Sequence, residues 1–255
     1  MNTPDFNLIS WFAQRADGAY KDEAFIRKHF PNTTRVAILK GIDVQYFVEY
    51  DERTNLQMVS VRGTANLKNA KEDAEYTESK NLKLGIYVHS GFDADANLLY
   101  QDIKPYLKKT AKISITGHSL GAAISTLLMM YLHQDNYDVG QSINFGQPKV
   151  TNKKGVIAFN FLPLTRVVDE NDVIPLVPPI TLFDSIHGVY EHLGDEVILL
   201  DNQQYRYLNE HDAERMSVGS FWHNLGHESI EDHYMANYLK RINNLIGIPL
   251  NNPVT

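Results

Sequence analysis

Along residues 7–20 the apolar positions Leu8, Phe12, Ala16 and Ala19 recur at helical spacing, which predicts an amphipathic helix, and the pattern continues over 23–30 until Pro31 stops it. Segments 35–40, 44–50 and 56–61 are rich in β-branched and aromatic residues and predict strands, the last two joined by Asp51-Glu52-Arg53-Thr54 at hairpin length. Periodicity then lapses. Residues 66–80 hold seven charged residues, with Leu67, Ala70, Ala74 and Tyr76 as apolar candidates, and predict a solvated helix or a surface loop. A helical pattern returns over 93–107, followed by a short apolar strand at 112–116, a helix at 122–132 and a further strand at 141–145. Two strands joined through a helix of this length imply a right-handed crossover and parallel pairing. Beyond them the chain predicts a strand at 164–168 and a loop fixed by Pro175, Pro178 and Pro179. A hairpin of 196–200 and 204–208 turns at Asp201-Asn202, and an amphipathic helix closes the pattern over 230–246. No repeat, low-complexity tract or linker interrupts the series, so one domain over 1–255 is expected.

Composition narrows the function classes. The chain is 43% hydrophobic and 22% charged over 255 residues, enough to bury a sizeable core. Its 24 Lys and Arg stand against 31 Asp and Glu, a formal net charge of -7, so no general cationic field is available to attract nucleic acid or anionic lipid. The lack of cysteine removes disulfides, a thiol nucleophile and thiolate metal sites together. The longest nearly apolar stretch, 122–132, is short of a membrane span, so no transmembrane segment is expected and contact with lipid would be at its surface. The first residues show neither a basic start nor an apolar stretch of leader length, which fits an intracellular protein or a secreted one whose leader was removed.

Reactive chemistry is legible in Gly117-His118-Ser119-Leu120-Gly121, which stands between the strand at 112–116 and the helix opening with Ala122-Ala123. A sharp strand-to-helix turn holds such a serine in a strained conformation, tolerable where the residues two before and two after lack side chains. Gly117 and Gly121 meet that demand. The turn also sets Ser119 at a helix N-terminus, where N–H groups and the dipole favour a developing oxyanion. A serine hydroxyl is a poor nucleophile at neutral pH, so a general base oriented by a carboxylate must follow, with the acid before the base in chain order. The histidines after Ser119 are His133, His187, His192, His211, His223, His227 and His233. Asp232-His233-Tyr234 opens the last helix, a rigid element that can hold the ring, which puts His233 first. His187 and His192 flank strand signals and are expected to be structural, while His223 and His227 lie in a loop of unassigned course. For the acid, Asp172 follows a strand and precedes Val173-Ile174-Pro175, whose burial would anchor it; Asp169 is its rival, otherwise a solvated loop charge or a turn cap. A metal-dependent hydrolase is the competing chemistry, since His223 and His227 stand four apart near Glu228, Asp232 and His233. Asn224 occupies the place of the general-base glutamate that a helical zinc motif needs, so no metal is expected.

Taken in order, Val59-Ser60-Val61-Arg62-Gly63-Thr64, Val88-His89-Ser90-Gly91-Phe92, the GHSLGAA of residues 117–123, Asn144-Phe145-Gly146-Gln147-Pro148, the RVVDENDVIPLVPP of residues 166–179 and Asp232-His233 resemble the class 3 lipase family, the fungal-type triacylglycerol lipases with their bacterial and plant relatives. The resemblance implies an α/β-hydrolase fold, with a mostly parallel central sheet and helices on both faces. It implies a carboxylic ester hydrolase acting on an acyl ester or lipid, foremost a triacylglycerol lipase, with phospholipase A1 or a soluble-ester esterase as the alternative and no cofactor. Position by position it implies Ser119 as nucleophile, Asp172 as acid and His233 as base, with an oxyanion hole formed by the hydroxyl and N–H of Thr64 and the N–H of Leu120. Substrate walls are expected from His118, from Ile180, Leu182 and Phe183 after the acid, and from Met216, Phe221, Trp222 and Leu225 before the base. Fungal members carry disulfides and a lid helix with bulky apolar residues after the oxyanion residue. Here cysteine is absent and residues 66–73 are largely polar, so 65–87 is expected to be a lid or flap with weak interfacial activation, with Leu82, Leu84, Ile86 and Tyr87 as a different apolar flap. A binding module that keeps the fold without catalysis is the remaining alternative.

Overall fold

The computed structural model describes residues 3–63, 78–177, 189–201, 203–209, 212–213 and 231–246. Asp5 accepts the N–H groups of Asn7 and Leu8 and caps α1 (Phe6–Gly18), while Asp22 accepts from Phe25 and caps α2 (Glu23–His29). The described strands are β1 (Thr33–Ile38), β2 (Gln45–Asp51), β3 (Leu56–Val61), β4 (Glu78–Asn81), β5 (Ile86–His89), β6 (Lys112–Gly117) and β7 (Asp138–Val139), then β8 (Ser142–Phe145), β9 (Thr151–Asn152), β10 (Leu164–Asp169), β11 (Tyr190–Glu191), β12 (Asp195–Leu200) and β13 (Gln204–Leu208). The remaining α-helices are α3 (Ser90–Ile103), α4 (Leu120–Gln134), α5 (Lys153–Phe159) and α6 (Met235–Leu245).

β1, β2 and β3 pair antiparallel, and β3, β6 and β7 continue in parallel. On the other side β8, β10 and β12 run parallel, with β13 antiparallel at the margin. Between β6 and β8 the backbone ladder is replaced by side chains. Ser142 Oγ accepts the Ile115 N–H at 3.0 Å, Thr116 Oγ1 donates to the Ile143 carbonyl at 2.6 Å, and Asn144 Oδ1 accepts the Gly117 N–H at 3.1 Å. Backbone pairing resumes where His118 bridges to Phe145, the Ser119 N–H donating to the Phe145 carbonyl at 3.0 Å. The two halves therefore form one mixed layer with a parallel centre, as expected.

Alternation along the strands sends side chains to two cores. Val59 and Val61 of β3 pack with α3 and α4, whereas Met58 between strand neighbours faces the core shared by α1 and α6. The apolar stretch 122–132 is accounted for as the buried body of α4, and among the described residues no helix is long and apolar enough to cross a membrane.

β4, β5, β9 and β11 build a small second sheet that periodicity did not predict, because strands of two to four residues are too short for alternation to register. This corrects the apolar flap expected at 82–87. Leu84 and Ile86 are buried in the main core, and Asn81 Oδ1 accepts the Leu84 N–H to close the turn; Leu82, at 87% exposure, stands out from it. The earlier part of the expected lid, 65–77, lies outside the described residues.

Candidate active site

The register that pairs Val61 with Gly117 and Val167 with Phe145 brings the C-terminal ends of β3, β6, β8 and β10 to one edge, the place where parallel sheets of this kind bind ligands. At the end of β6 the chain turns into α4 through Ser119, whose backbone has φ 58° and ψ −129°. That is a left-handed conformation which a side chain makes costly, by about 1–3 kcal/mol. The flanking glycines are required by backbone contact. A Cβ on Gly117 would lie 2.3 Å from the Gly121 carbonyl oxygen, and one on Gly121 would lie 2.4 Å from that of Val61. After the turn, the N–H groups of Gly121, Ala122 and Ala123 bond back to the carbonyls of His118 and Ser119. Leu120 is the first residue of α4, where the leading N–H groups have no partner within the helix.

His233 ends a single 3₁₀ turn, Glu231–His233, immediately before α6. Its Nδ1 lies 2.7 Å from Asp172 Oδ2, and both side chains are fully buried. Asp172 follows β10, and its second oxygen accepts the Ile174 N–H at 2.9 Å, the anchor that the following Val173-Ile174-Pro175 suggested. Oδ2 also accepts the hydroxyl of Tyr238 at 2.5 Å. Three donors thus converge on this carboxylate. They fix its plane, and the imidazole with it. His233 Nε2, the ring atom a base would use, is buried without a hydrogen-bond partner among the described residues. The ring is tied to the Ser119 turn through His118, whose Nε2 lies 2.7 Å from the His233 carbonyl oxygen and whose ring centroid is 4.5 Å from that of His233.

Gly146, just beyond β8, is the floor under this pair. It has φ +54°, and a Cβ there would sit 2.8 Å from His233 Cε1 and 2.9 Å from Asp172 Oδ2. Gly146→Ala is therefore expected to push the imidazole and carboxylate apart and to lower kcat/KM for a short ester by about a hundred-fold. Circular dichroism should report a folded chain, and an unchanged rate would remove Gly146 from the site.

Of the two alternatives for Asp169, a solvated charge or a turn cap, the structure shows the second, its Oδ1 accepting the Asn171 N–H at 3.2 Å. It is buried, with Arg241 Nε 2.6 Å from Oδ2 and the Tyr238 hydroxyl accepting its N–H at 3.1 Å, and burial pushes its carboxyl up to about 7 against the pull of Arg241. No described contact joins it to a histidine. His192 is structural, as expected: burial holds it neutral, and its Nε2 donates to the Pro175 carbonyl at 2.7 Å, bracing the loop behind Asp172. His118 departs from expectation. It was assigned to the substrate wall, yet its ring is buried, with Nδ1 2.7 Å from the Tyr20 hydroxyl and Nε2 on the His233 carbonyl, so both nitrogens are engaged inside the core. Thr64, Ile180, Leu182, Phe183 and Trp222 lie outside the described residues, as do Met216, Phe221, Leu225, His187, His211, His223 and His227. Among the described residues no group of acidic and histidine side chains could hold a metal ion.

The family model for class 3 lipases matches residues 58–182. Over that stretch, just under half of the chain, the sequence is similar to the class 3 lipases. The matched stretch contains Ser119 and Asp172, whereas His233 lies beyond it and is related to them by geometry. A secreted mono- and diacylglycerol lipase of Fusarium solani is 31% identical over 146 residues, 52% of this chain and 43% of that protein. A triacylglycerol lipase of Ricinus communis is 31% identical over 141 residues, 50% of this chain and 26% of its own length. The chain thus matches less than half the length of either relative. Among solved structures, a lipase from Rhizopus microsporus var. chinensis superposes with a TM-score of 0.71 at 21% identity, covering 91% of this chain and 88% of that one, which establishes the α/β-hydrolase fold.

Three supports of the site were not anticipated as such. Gly146 was visible within Asn144-Phe145-Gly146-Gln147-Pro148 but without a role. Tyr20 and Tyr238 sit at apolar-periodic positions of helical segments, where a tyrosine is indistinguishable from ordinary core until its hydroxyl partner is known.

Proposed function

We propose that this chain is a carboxylic ester hydrolase, foremost a triacylglycerol lipase, working through Ser119, His233 and Asp172. The observation that carries this reading is the strained serine at the head of α4 together with a fully buried His233–Asp172 pair whose Nε2 has no hydrogen-bond partner among the described residues. Ser119 Oγ attacks the ester carbonyl while His233 Nε2 takes its proton, and Asp172 holds the ring and stabilises the imidazolium. The N–H of Leu120, at the start of α4, and Thr64 meet the oxyanion. His233 then gives the proton to the departing alcohol, which leaves an acyl group on Ser119. Water activated by the same ring releases the carboxylic acid. The names of the relatives support an acylglycerol as the substrate, and residues 65–77 are assigned as the lid.

A p-nitrophenyl ester chain-length series, run beside dispersed triolein and a phospholipid, tests the substrate class. Triolein cleavage supports the lipase, activity confined to short esters makes the protein an esterase, and preference for phospholipid makes it a phospholipase A1. The polar character of 66–73 supports weak interfacial activation. Hydrolysis of tributyrin should accordingly rise smoothly through its solubility limit, and a steep jump there would contradict that expectation.

A further inference from the structure

Gly63 ends the segment after β3, immediately before Thr64, and packs against the nucleophile turn: a Cβ on it would lie 2.5 Å from the His118 carbonyl oxygen and 3.0 Å from Ser119 Cβ. Its N–H lies 3.2 Å from the hydroxyl oxygen of Tyr20, which follows α1. That hydroxyl is 2.7 Å from His118 Nδ1, and His118 Nε2 is 2.7 Å from the carbonyl oxygen of His233. We propose that Tyr20 and His118 are positioning residues, forming a buried hydrogen-bond relay that ties the backbone before Thr64 to the backbone of His233 and so fixes the span across which Ser119, the base and the oxyanion donors act.

The direction of every hydrogen in the relay follows from its two ends. A carbonyl oxygen can only accept, so His118 Nε2 carries the proton that bonds to His233. Burial, and after it the proximity of His233, pushes His118 well below the ordinary histidine range, so the ring is neutral and Nδ1 must accept. Tyr20 therefore donates to Nδ1, and burial pushes its phenol well above the usual range, so that donor is kept. The tyrosine oxygen is left to accept the Gly63 N–H. Each of the groups is satisfied in this one arrangement, and no proton can be moved without leaving a buried donor or acceptor unpaired, a cost of about 1–3 kcal/mol. A neutral His118 also matters for the chemistry. Its ring lies against that of His233, and a cation there would oppose the imidazolium that forms in the transition state.

The proposal rests on the hydrolase reading above, and its test separates the two. Tyr20→Phe, His118→Phe, the double variant and His118→Gln are compared with wild type and Ser119→Ala on p-nitrophenyl butyrate at pH 7. Tyr20→Phe and His118→Phe should each lower kcat by roughly ten- to a hundred-fold, with KM changed by less than about three-fold, because position rather than binding is lost. The double variant should be no slower than the slower single, since both break one chain. His118→Gln keeps a donor within reach of the His233 carbonyl and should recover much of the loss. Losses that multiply in the double variant, losses confined to KM, or kcat within about two-fold of wild type in both single variants would overturn the relay. If His118→Phe does not fold by circular dichroism, the Tyr20→Phe and His118→Gln values decide. ¹⁵N spectra of the histidine rings provide a readout independent of turnover: the expected pattern is a neutral His118 with its proton on Nε2, and the opposite tautomer would overturn the relay. Should wild type be inactive, or Ser119→Ala match it, the hydrolase reading fails while the ring spectra still report on the relay.

Discussion

Ser119→Ala is expected to lower kcat/KM for p-nitrophenyl butyrate by about four to six orders of magnitude while leaving thermal stability nearly unchanged. The size of the loss follows from the roles assigned to the serine. Without Oγ there is no acyl-enzyme, and the remaining acceleration comes from oxyanion donors and binding, which can assist a water attack only weakly. The small effect on stability follows from the backbone. Alanine retains the Cβ, so the strain at φ 58° stays as it is, and the Ser119 N–H keeps its bond to the Phe145 carbonyl at 3.0 Å. Ser119→Gly provides the complementary measurement. It should be equally inactive and more stable than the alanine variant by roughly 1 kcal/mol, because glycine accepts the left-handed conformation that serine and alanine resist. A rate within about ten-fold of wild type in either variant would remove Ser119 from the mechanism, and a glycine variant less stable than alanine would show that the turn is not strained.

The strained turn was legible because its cause is local: two glycines and a serine at fixed spacing, bounded by an apolar strand and a helix, carry their own geometric demand. The central strands were legible for a similar reason. Segments such as 56–61, 164–168 and 196–200 are long enough and rich enough in β-branched residues to declare themselves, and they coincide closely with β3, β10 and β12. Short elements did not. β9 and β11 are two residues each, and β4 exists because β5 lies beside it, so nothing within their own sequence announces them. The candidate site was legible in the serine turn and in the Asp172 and His233 that the fold brings together, and hidden in its supports. Polarity at an apolar-periodic position, as at Tyr20 just after α1 and Tyr238 within α6, tells that a partner exists but not which one. The partner of His118 Nε2 lies 115 positions away, and that of Tyr238 lies 66 away. His118 was misassigned for the same reason, since the sequence does not show that its ring turns inward onto the Tyr20 hydroxyl and the His233 carbonyl.

Asp172→Asn is expected to reduce kcat by about three to four orders of magnitude, less than removal of the serine but far more than the loss of an ordinary buried hydrogen bond. In the wild type the carboxylate only accepts: Oδ2 takes His233 Nδ1–H and Tyr238 O–H, and Oδ1 takes the Ile174 N–H. An amide must turn a donor toward one of these. Placing its NH₂ at the Oδ2 position sets it against His233 and Tyr238 together, and relief would require the imidazole to move its proton to Nε2, where it can no longer accept from Ser119. Placing the NH₂ at the Oδ1 position preserves the ring tautomer but leaves the Ile174 N–H unpaired in the core, at about 1–3 kcal/mol, so stability falls even where geometry survives. Either orientation removes the negative charge that stabilises the imidazolium, so kcat falls in both. Asp169→Asn is the control that distinguishes the two candidate acids. Asp169 meets Arg241 and no histidine among the described contacts, so its amide variant should keep kcat within about three-fold of wild type. Equal losses in the two variants, or a larger one at Asp169, would transfer the acid's role away from Asp172.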